Sequence, residues 1–556
     1  MHTSAQKGYP QIRRGFIFNH LSGNNEANLK RLQDVYRVCI SLVGEEAWER
    51  LVAPISSRQS VDKIPDILAV MTGSHGLPPF ISELARLEST IARISDVGIQ
   101  PDIAMLDVNP TLEVLQLKWS NLPAFISSIN NTVRPDSLPV EEILLVWKSP
   151  LDSQVKYRTA NDRDLLVLKI VVESITPKEA ATEGSVTISA IDAAIDCSIK
   201  EGLLLSPPSL LRRDPSIISP AAPFDDSFCE TTAFTLQWHI TQTCDLHCKH
   251  CYDRSDRSEL DFGRALAILD ELHGFCRKKH VKGRISFSGG NPLLYPHFDD
   301  LYRAAAEQGF DVSILGNPSP RGRLEKITAI QRPDFFQVSL EGLQQHNDTI
   351  RGPGHFERTV RFIELLRELD IYSMVMLTLT RDNIDQVLPL SKFLKDIVDT
   401  FNFNRISMVG EGATLKLPSR ERYATFLEAY LEAAETNPVM GLKDNLINII
   451  CRQKGVDQFG GCTGFGCGAA FNFLSLLADG EVHACRKFPS LIGNINEQNL
   501  TEIYDSEQAQ RYRAGCNACS KCPIRPACGG CLAMAHSHGL DIFKEKDPYC
   551  FFIVSE

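Results

Sequence analysis

From residue 29 onward, apolar side chains recur every three to four positions, at Leu29, Leu32, Val35, Tyr36, Cys39, Ile40 and Val43, the spacing of one buried helix face. Ile81, Leu84, Leu87, Ile91 and Ile94 repeat the period, so residues 1–135 are expected to be a helical module with Cys39 in its core. The period changes near Pro139. ILLVW at 143–147 and QVKYR at 154–158 predict two short strands joined through a turn containing Pro150 and Asp152. Helices are expected from about 162 to 174 and from about 189 to 201, the second ending at Gly202. A hairpin with helices is a winged-helix-like arrangement, here over 136–205. Five prolines between 206 and 223 then predict a linker over 206–228.

Between Thr235 and Met408, strand-like runs alternate with amphipathic helices: TLQWHI (235–240), RISF (284–287), DVSIL (311–315), FFQVS (335–339), YSMVMLTL (372–379) and FNFNRISM (401–408). Six strand-then-helix repeats imply an α/β fold with a parallel sheet and right-handed crossovers. Eight would close a full barrel, so an open or partial (β/α)6 barrel is expected over 229–415. A helical bridge at 416–460 and a small C-terminal domain at 461–556 follow. Sites in such folds lie at the carboxyl ends of the strands.

Composition narrows the function classes. At 43% hydrophobic and 23% charged, the 556 residues fall in the globular range, and a net charge of −11 argues against a surface built to neutralise phosphate. Residues 139–214 carry nine Lys/Arg against twelve Asp/Glu, so the winged-helix-like module is not expected to bind DNA. The stretch MHTSAQKGYPQIRR lacks the apolar run of a signal peptide and no run of 18 apolar residues occurs, so a cytoplasmic protein that does not span a membrane is expected. The 17 cysteines are skewed: two in 1–228, six in 229–460 and nine in 461–556. In a reducing compartment, such density with short regular spacings reads as metal or iron–sulfur ligation.

Directly after the first barrel strand stands Cys244-Asp-Leu-His-Cys248-Lys-His-Cys251-Tyr252. Three thiolates on one loop can hold three irons of a cubane and leave the fourth open. A structural zinc with His247 or His250 as fourth ligand is the alternative. The loop resembles that of the radical S-adenosylmethionine (SAM) superfamily, in which SAM chelates the open iron and one electron from the cluster releases a 5′-deoxyadenosyl radical. The resemblance continues in order through Ser288-Gly289-Gly290-Asn291-Pro292, with Asn291 where the family has Glu. It runs on through Gly316-Asn317, Ser339-Leu340-Glu341-Gly342 with His346, Asn347 and Arg351-Gly352, then Thr378, Thr380, Asn383 and Gly410-Glu411-Gly412. It implies SAM contacts from Tyr252, Ser288, Gly289, Gly290, Asn291, Asn317, Ser339, Glu341 and Arg351, with the Arg351 fork suited to the SAM carboxylate.

The tail reads Cys462-x4-Cys467, Cys485, then Cys519-x2-Cys522-x5-Cys528-x2-Cys531, and Cys550. It resembles the SPASM extension of peptide-modifying radical SAM enzymes, with Asp479-Gly480-Glu481-Val482 as its hairpin turn. That resemblance implies two auxiliary [4Fe–4S] clusters, one on Cys462, Cys467, Cys485 and Cys531, the other on Cys519, Cys522, Cys528 and Cys550. Cys516, at x2 before Cys519, leaves the register of the second open, and a pair of zinc knuckles is the alternative. Cys39, Cys197, Cys276 and Cys451 read as core, and Cys229 is unassigned.

The winged-helix-like module is similar to the small domain that holds a leader peptide as an added strand in enzymes maturing ribosomally made peptides. The expectation is therefore a radical SAM peptide maturase acting on a precursor peptide with a leader. Its electrons would come from a flavodoxin- or ferredoxin-type donor, and the product would be an oxidised modification such as a cysteine thioether. A formylglycine-forming enzyme is a second reading, in which the family places an aspartate after the hairpin cysteine; here Arg486 follows Cys485. An iron–sulfur winged-helix regulator is a third.

Overall fold

The computed structural model describes residues 32–52, 63–72, 76–98, 103, 105–128, 135–214 and 226–552. Leu29, the N-terminal stretch and prolines 215, 220 and 223 lie outside them. The chain divides into two compact units, Met1–Pro207 and Pro208–Glu556.

In the first unit, the short strands β1 (Asp107–Val108) and β5 (Leu204–Leu205) pair, and β2 (Glu113–Leu117), β3 (Glu142–Lys148) and β4 (Val155–Thr159) form an antiparallel sheet with β3 central. Alternation along β3 serves two cores. Leu144 and Val146 pack with Leu84, Leu87 and Ile94 of the helix Ile81–Ser95, whereas Leu145 and Trp147 pack with Val167, Ile170, Ile191 and Ile195 on the opposite face. ILLVW is thus a continuous apolar run because both faces of its strand are covered. The expected module boundary at 135/136 does not separate two bodies, since β2 from its N-terminal side pairs with β3 from the other. The helices Asp162–Val172 and Ile188–Lys200 match the expected ones, and between them lies Pro177–Gly184, opened by a Thr176/Glu179 capping box with Pro177 in its first turn. Cys39 is core, and the Glu88 carboxylate beside it accepts the N–H groups of Val38 (2.7 Å) and Cys39 (3.0 Å), capping the helix Arg37–Val43 from a distant element.

The second unit is built on one nine-stranded sheet, ordered β11-β10-β9-β8-β7-β6-β12-β13-β14. Its parallel part comprises β6 (Ala233–Thr241), β7 (Lys282–Gly289), β8 (Asp311–Leu315), β9 (Phe336–Ser339), β10 (Ser373–Leu379) and β11 (Thr400–Arg405), with helices between them. The sheet stays open. On the β6 side it continues into the cysteine-rich domain: β12 (Phe473–Leu476) pairs parallel to β6, and β13 (Glu481–His483) and β14 (Leu491–Asn494) follow antiparallel around the Gly480 turn. The small C-terminal domain expected over 461–556 thus shares one sheet with the barrel strands. The predicted linker is corrected in part as well. Leu211 is buried in the main core, Arg212 bridges to Glu230, and the Arg213 N–H donates to the Cys229 carbonyl at 2.8 Å. Among the described residues, no helix is long and apolar enough to cross a membrane.

Arg405, at the end of β11, joins three parts of this unit. Its guanidinium donates to Asp444 (2.8 Å) and to both oxygens of Asp547 (3.0 and 2.8 Å), and all three side chains are buried. Removing the cation strands two buried carboxylates. Arg405→Leu is expected to cost about 3–5 kcal/mol, read as a lower thermal midpoint under anaerobic conditions, with Arg321→Leu, from an exposed pair, within about 1 kcal/mol of the parent.

Candidate active site at the strand ends

The Cys244–Cys251 loop is gripped at its stem, its middle and its far end. At the stem, Gly290 N–H donates to Thr241 O and Asn291 N–H to Thr243 O, both at 2.8 Å, and a Cβ on Gly290 would stand 2.3 Å from the Thr243 carbonyl oxygen. The close approach that Gly289-Gly290 permits is thus to the stem of the cysteine loop. In the middle, Lys249 N–H donates to Ile350 O (3.1 Å). At the far end Glu411 N–H donates to Cys251 O (2.9 Å), and Gly410, at φ +55°, leaves room that a Cβ would take from Tyr252 O.

Behind the loop stands a buried relay. Glu341 accepts from Arg351 Nε (2.8 Å) and Nη2 (2.6 Å), and Arg351 Nη1 points to Cys248 Sγ at 3.7 Å. Burial would raise the Glu341 carboxyl, but His250 and Arg351 outweigh it and hold it down at about 2. His250 Nε2 lies 3.3 Å from both partners, and its Nδ1 is buried without a hydrogen-bond partner. On the other side Asp245 accepts from Asn291 (3.0 Å) and Asn317 (2.6 Å), and Asn317 also reaches Cys244 Sγ at 3.7 Å. Tyr252 stacks on His239 with its hydroxyl 2.7 Å from Nε2; burial pushes the phenol up to about 12 and the imidazole down to about 3.

The loop opens on a cavity of about 450 Å³. Its wall includes Cys244, Cys248 and Cys251, then Tyr252, Gly289, Gly290, Ser339 and Arg351, and from the tail Cys462, Cys467, Cys485 and Cys531. Ser288, Asn291, Asn317 and Glu341 sit behind that wall. Cys519, Cys522, Cys528 and Cys550 surround a second, smaller cavity, which Cys516 does not line. Cys516 and Cys519 share a thiol hydrogen bond that lowers the first and raises the second. Burial pushes the thiols of Cys467, Cys485 and Cys531 up to about 11, so their deprotonation calls for the cationic charge a metal cluster supplies. Among the described residues no three His, Cys, Asp or Glu side chains converge on a single ion; a cubane spreads its thiolates more widely than one ion does.

Residues 238–394 match the model of the radical SAM superfamily, and 467–531 match SPASM, an iron–sulfur cluster-binding domain. The chain is a radical SAM enzyme with a SPASM domain. Both domains imply [4Fe–4S] clusters, and the first implies SAM. Among its relatives, an AdoMet-dependent heme synthase of Methanosarcina barkeri is 26% identical over 57% of this chain and 96% of its own length. The mycofactocin maturase MftC of Mycolicibacterium smegmatis is 27% identical over 57% of this chain and 82% of its own. Of solved structures, Streptococcus suis SuiB bound to its precursor peptide SuiA is 15% identical over 74% of this chain and 97% of its own, at a TM-score of 0.48.

Four side chains that position the radical SAM and SPASM cysteines escaped the sequence reading. Asn445 accepts the Cys462 N–H (2.6 Å) and donates to Gly530 O (2.5 Å), while Asn448 donates to Ala527 O (2.8 Å) and Phe459 O (3.1 Å). Arg213, from the predicted linker, donates to Phe465 O (2.9 Å) and Cys467 O (2.5 Å). His355 is the fourth: its Nδ1 meets Asn347 Nδ2 at 3.1 Å, and Asn347 Oδ1 accepts the Glu341 N–H at 3.1 Å. Asn-x2-Asn before a cysteine cluster is a signal, but not one that spacing alone can interpret.

Burial, aided by Arg351 and Arg358, holds the His355 imidazole down at about 4. The unfolded chain, with an ordinary histidine near 6.5, binds this proton first. Its contribution to stability is therefore full above about pH 6.5 and falls as pH drops toward 4. In denaturant titrations at pH 7.5 and pH 5, His355→Gln is expected to lose about 2 kcal/mol less than the parent.

Proposed function

We propose that the chain is a peptide maturase that binds a ribosomally made precursor and modifies a side chain of it in the large cavity. The observation that carries this reading is one cavity walled both by the three-cysteine loop and by four cysteines of the SPASM domain. The name of the mycofactocin maturase supports the same substrate class. Cys244, Cys248 and Cys251 would hold the SAM cluster, Cys462, Cys467, Cys485 and Cys531 one auxiliary cluster, and Cys519, Cys522, Cys528 and Cys550 the other, with Cys516 outside. Once bound, SAM and the clusters supply a primary carbon radical that takes a hydrogen atom from an unactivated C–H bond and a path for the electron left behind, the balance a thioether requires.

The chain's own residues orient that chemistry. Tyr252, Gly289, Gly290, Ser339 and Arg351 are proposed to touch SAM, and Ser288, Asn291, Asn317 and Glu341 to hold the wall from behind. Since Glu341 already neutralises Arg351, that arginine would meet the SAM carboxylate with only part of its fork. His250 Nδ1, buried and unpartnered, would gain its hydrogen bond from SAM. The relatives named heme synthases raise a second reading, a non-peptide substrate. The outer edge of β4, unpaired among the described residues, favours the peptide. Ala160 N–H to Ile143 O and Ser149 N–H to Gln154 O mark the bonded register, so Val155, Tyr157 and Thr159 turn their backbone groups away from β3. A leader can add there as a strand.

Two experiments test the reading. Reconstituted enzyme with dithionite is expected to release 5′-deoxyadenosine from SAM, and Cys248→Ala to fall to background; equal release by both would overturn the radical chemistry. Thr159→Pro, which removes an outward N–H from the exposed edge, is expected to weaken binding of the precursor peptide encoded beside the gene by about tenfold, with SAM cleavage retained.

A further inference from the structure

Most charged side chains of the large cavity are engaged by a partner, and Arg254, which also lines it, is exposed to solvent. Arg351 is matched by Glu341, and Arg405 by Asp444 and Asp547. Lys443 donates to the Cys462 carbonyl oxygen at 3.3 Å, and the Lys487 charge acts to lower the thiols of Cys485 and Cys531, so both ammonium groups act on cysteine-bearing segments of the tail. The lining carboxylates are likewise taken, Asp253 by Arg257 and Asp444 by Arg405.

Arg486 stands apart. It is half-buried, it follows Cys485 directly, and its guanidinium lies 5.2 Å over the Tyr252 ring, next to the end of the three-cysteine loop. Nη1 donates to Ser288 Oγ at 2.8 Å, and no carboxylate among the described residues pairs with it. The stack and the single hydrogen bond fix the plane of the fork while leaving most of its five donors unspent. A fixed, unpaired guanidinium in a partly enclosed cavity is a receptor for a planar anion.

We propose that Arg486 binds a carboxylate of the substrate, so that the group modified lies close to an acidic side chain or a free carboxyl terminus. This rests on the cavity being the site of substrate modification, as argued above. Leu246, Leu315, Met376, Phe473 and Phe488 on the same wall suit an apolar body attached to that anion.

The matched probes are 3-phenylpropionate and 3-phenylpropionamide, which differ in charge at nearly constant shape. They are titrated by calorimetry into anaerobic, cluster-loaded full-length enzyme saturated with SAM, so that the site for the SAM carboxylate is already filled. The acid is expected to bind about tenfold tighter than the amide. Arg486→Gln is expected to abolish the preference and Arg486→Lys to restore part of it, with iron content and SAM affinity unchanged in both. Equal binding of the two probes to the parent, a preference that survives in Arg486→Gln, or a loss of SAM affinity in that variant would each overturn the assignment. The readout is equilibrium binding, so it stands whether or not 5′-deoxyadenosine is released.

Discussion

Arg405 is enclosed by groups that belong to three stretches of chain. Asp444 precedes the helix Ile447–Lys454 and accepts the Leu446 N–H at 3.0 Å; Asp547 precedes Cys550 and accepts the Tyr549 N–H at 2.9 Å; Tyr423 and Tyr549 flank the guanidinium at 5.3 and 5.6 Å. A buried ion cluster of this kind contributes little net stability compared with apolar residues of the same volume, because desolvation offsets the attraction. What it does contribute is register. Asn445, one residue after Asp444, holds Cys462 and the carbonyl before Cys531, and the turn at Asp547 delivers Cys550. One arginine at the end of a barrel strand thereby sets where cysteines of both auxiliary groups stand relative to the parallel sheet.

Steric exclusion complements this electrostatic pin. The cysteine loop is anchored by its side chains Asp245 and His250, and backbone contacts from Gly289-Gly290 and Gly410-Glu411 fix its two ends. Gly289, Gly290 and Gly410 each require closeness that a Cβ would forbid, and all three stand at or after the carboxyl ends of sheet strands. The loop is therefore as rigid as the sheet behind it. That suits chemistry in which reacting atoms must be held in near-contact.

Local patterns were legible where period and chemistry coincide. The six strands of the parallel sheet, the hairpin at 142–159 and the cysteine loop all announce themselves through apolar runs, turn residues or thiol spacing. The sequence could not show what depends on pairing between distant segments. EVLQL at 113–117 is too short to read as a strand until β3 lies beside it, and FLSL at 473–476 gives no hint that it will extend the barrel sheet next to β6. Prolines mark the stretch from 206 as a linker, yet Arg213 is drawn into the core by the carbonyls of Phe465 and Cys467, groups whose orientation no local pattern encodes. The roles within the SAM segment differ for the same reason. Asn291 and Asn317 both turn to Asp245, a residue that spacing presents merely as filler between cysteines.

The division of charge in the cavity follows from these placements. Buried thiols that must carry negative charge need cations nearby, and Arg213 beside Cys467, Lys487 beside Cys485 and Cys531, and Arg405 beside Cys531 act in that direction. Arg351 carries a charge as well, but Glu341 cancels it, and His355 and Asn347 hold Glu341 in place to do so. Arg486 is held by an aromatic face and a hydroxyl, neither of which neutralises it. A guanidinium left uncompensated in a partly enclosed space costs desolvation free energy unless an anion arrives. The wall is thus electrostatically complete toward the clusters and incomplete toward the substrate, and that asymmetry selects a substrate bearing negative charge close to the bond being changed.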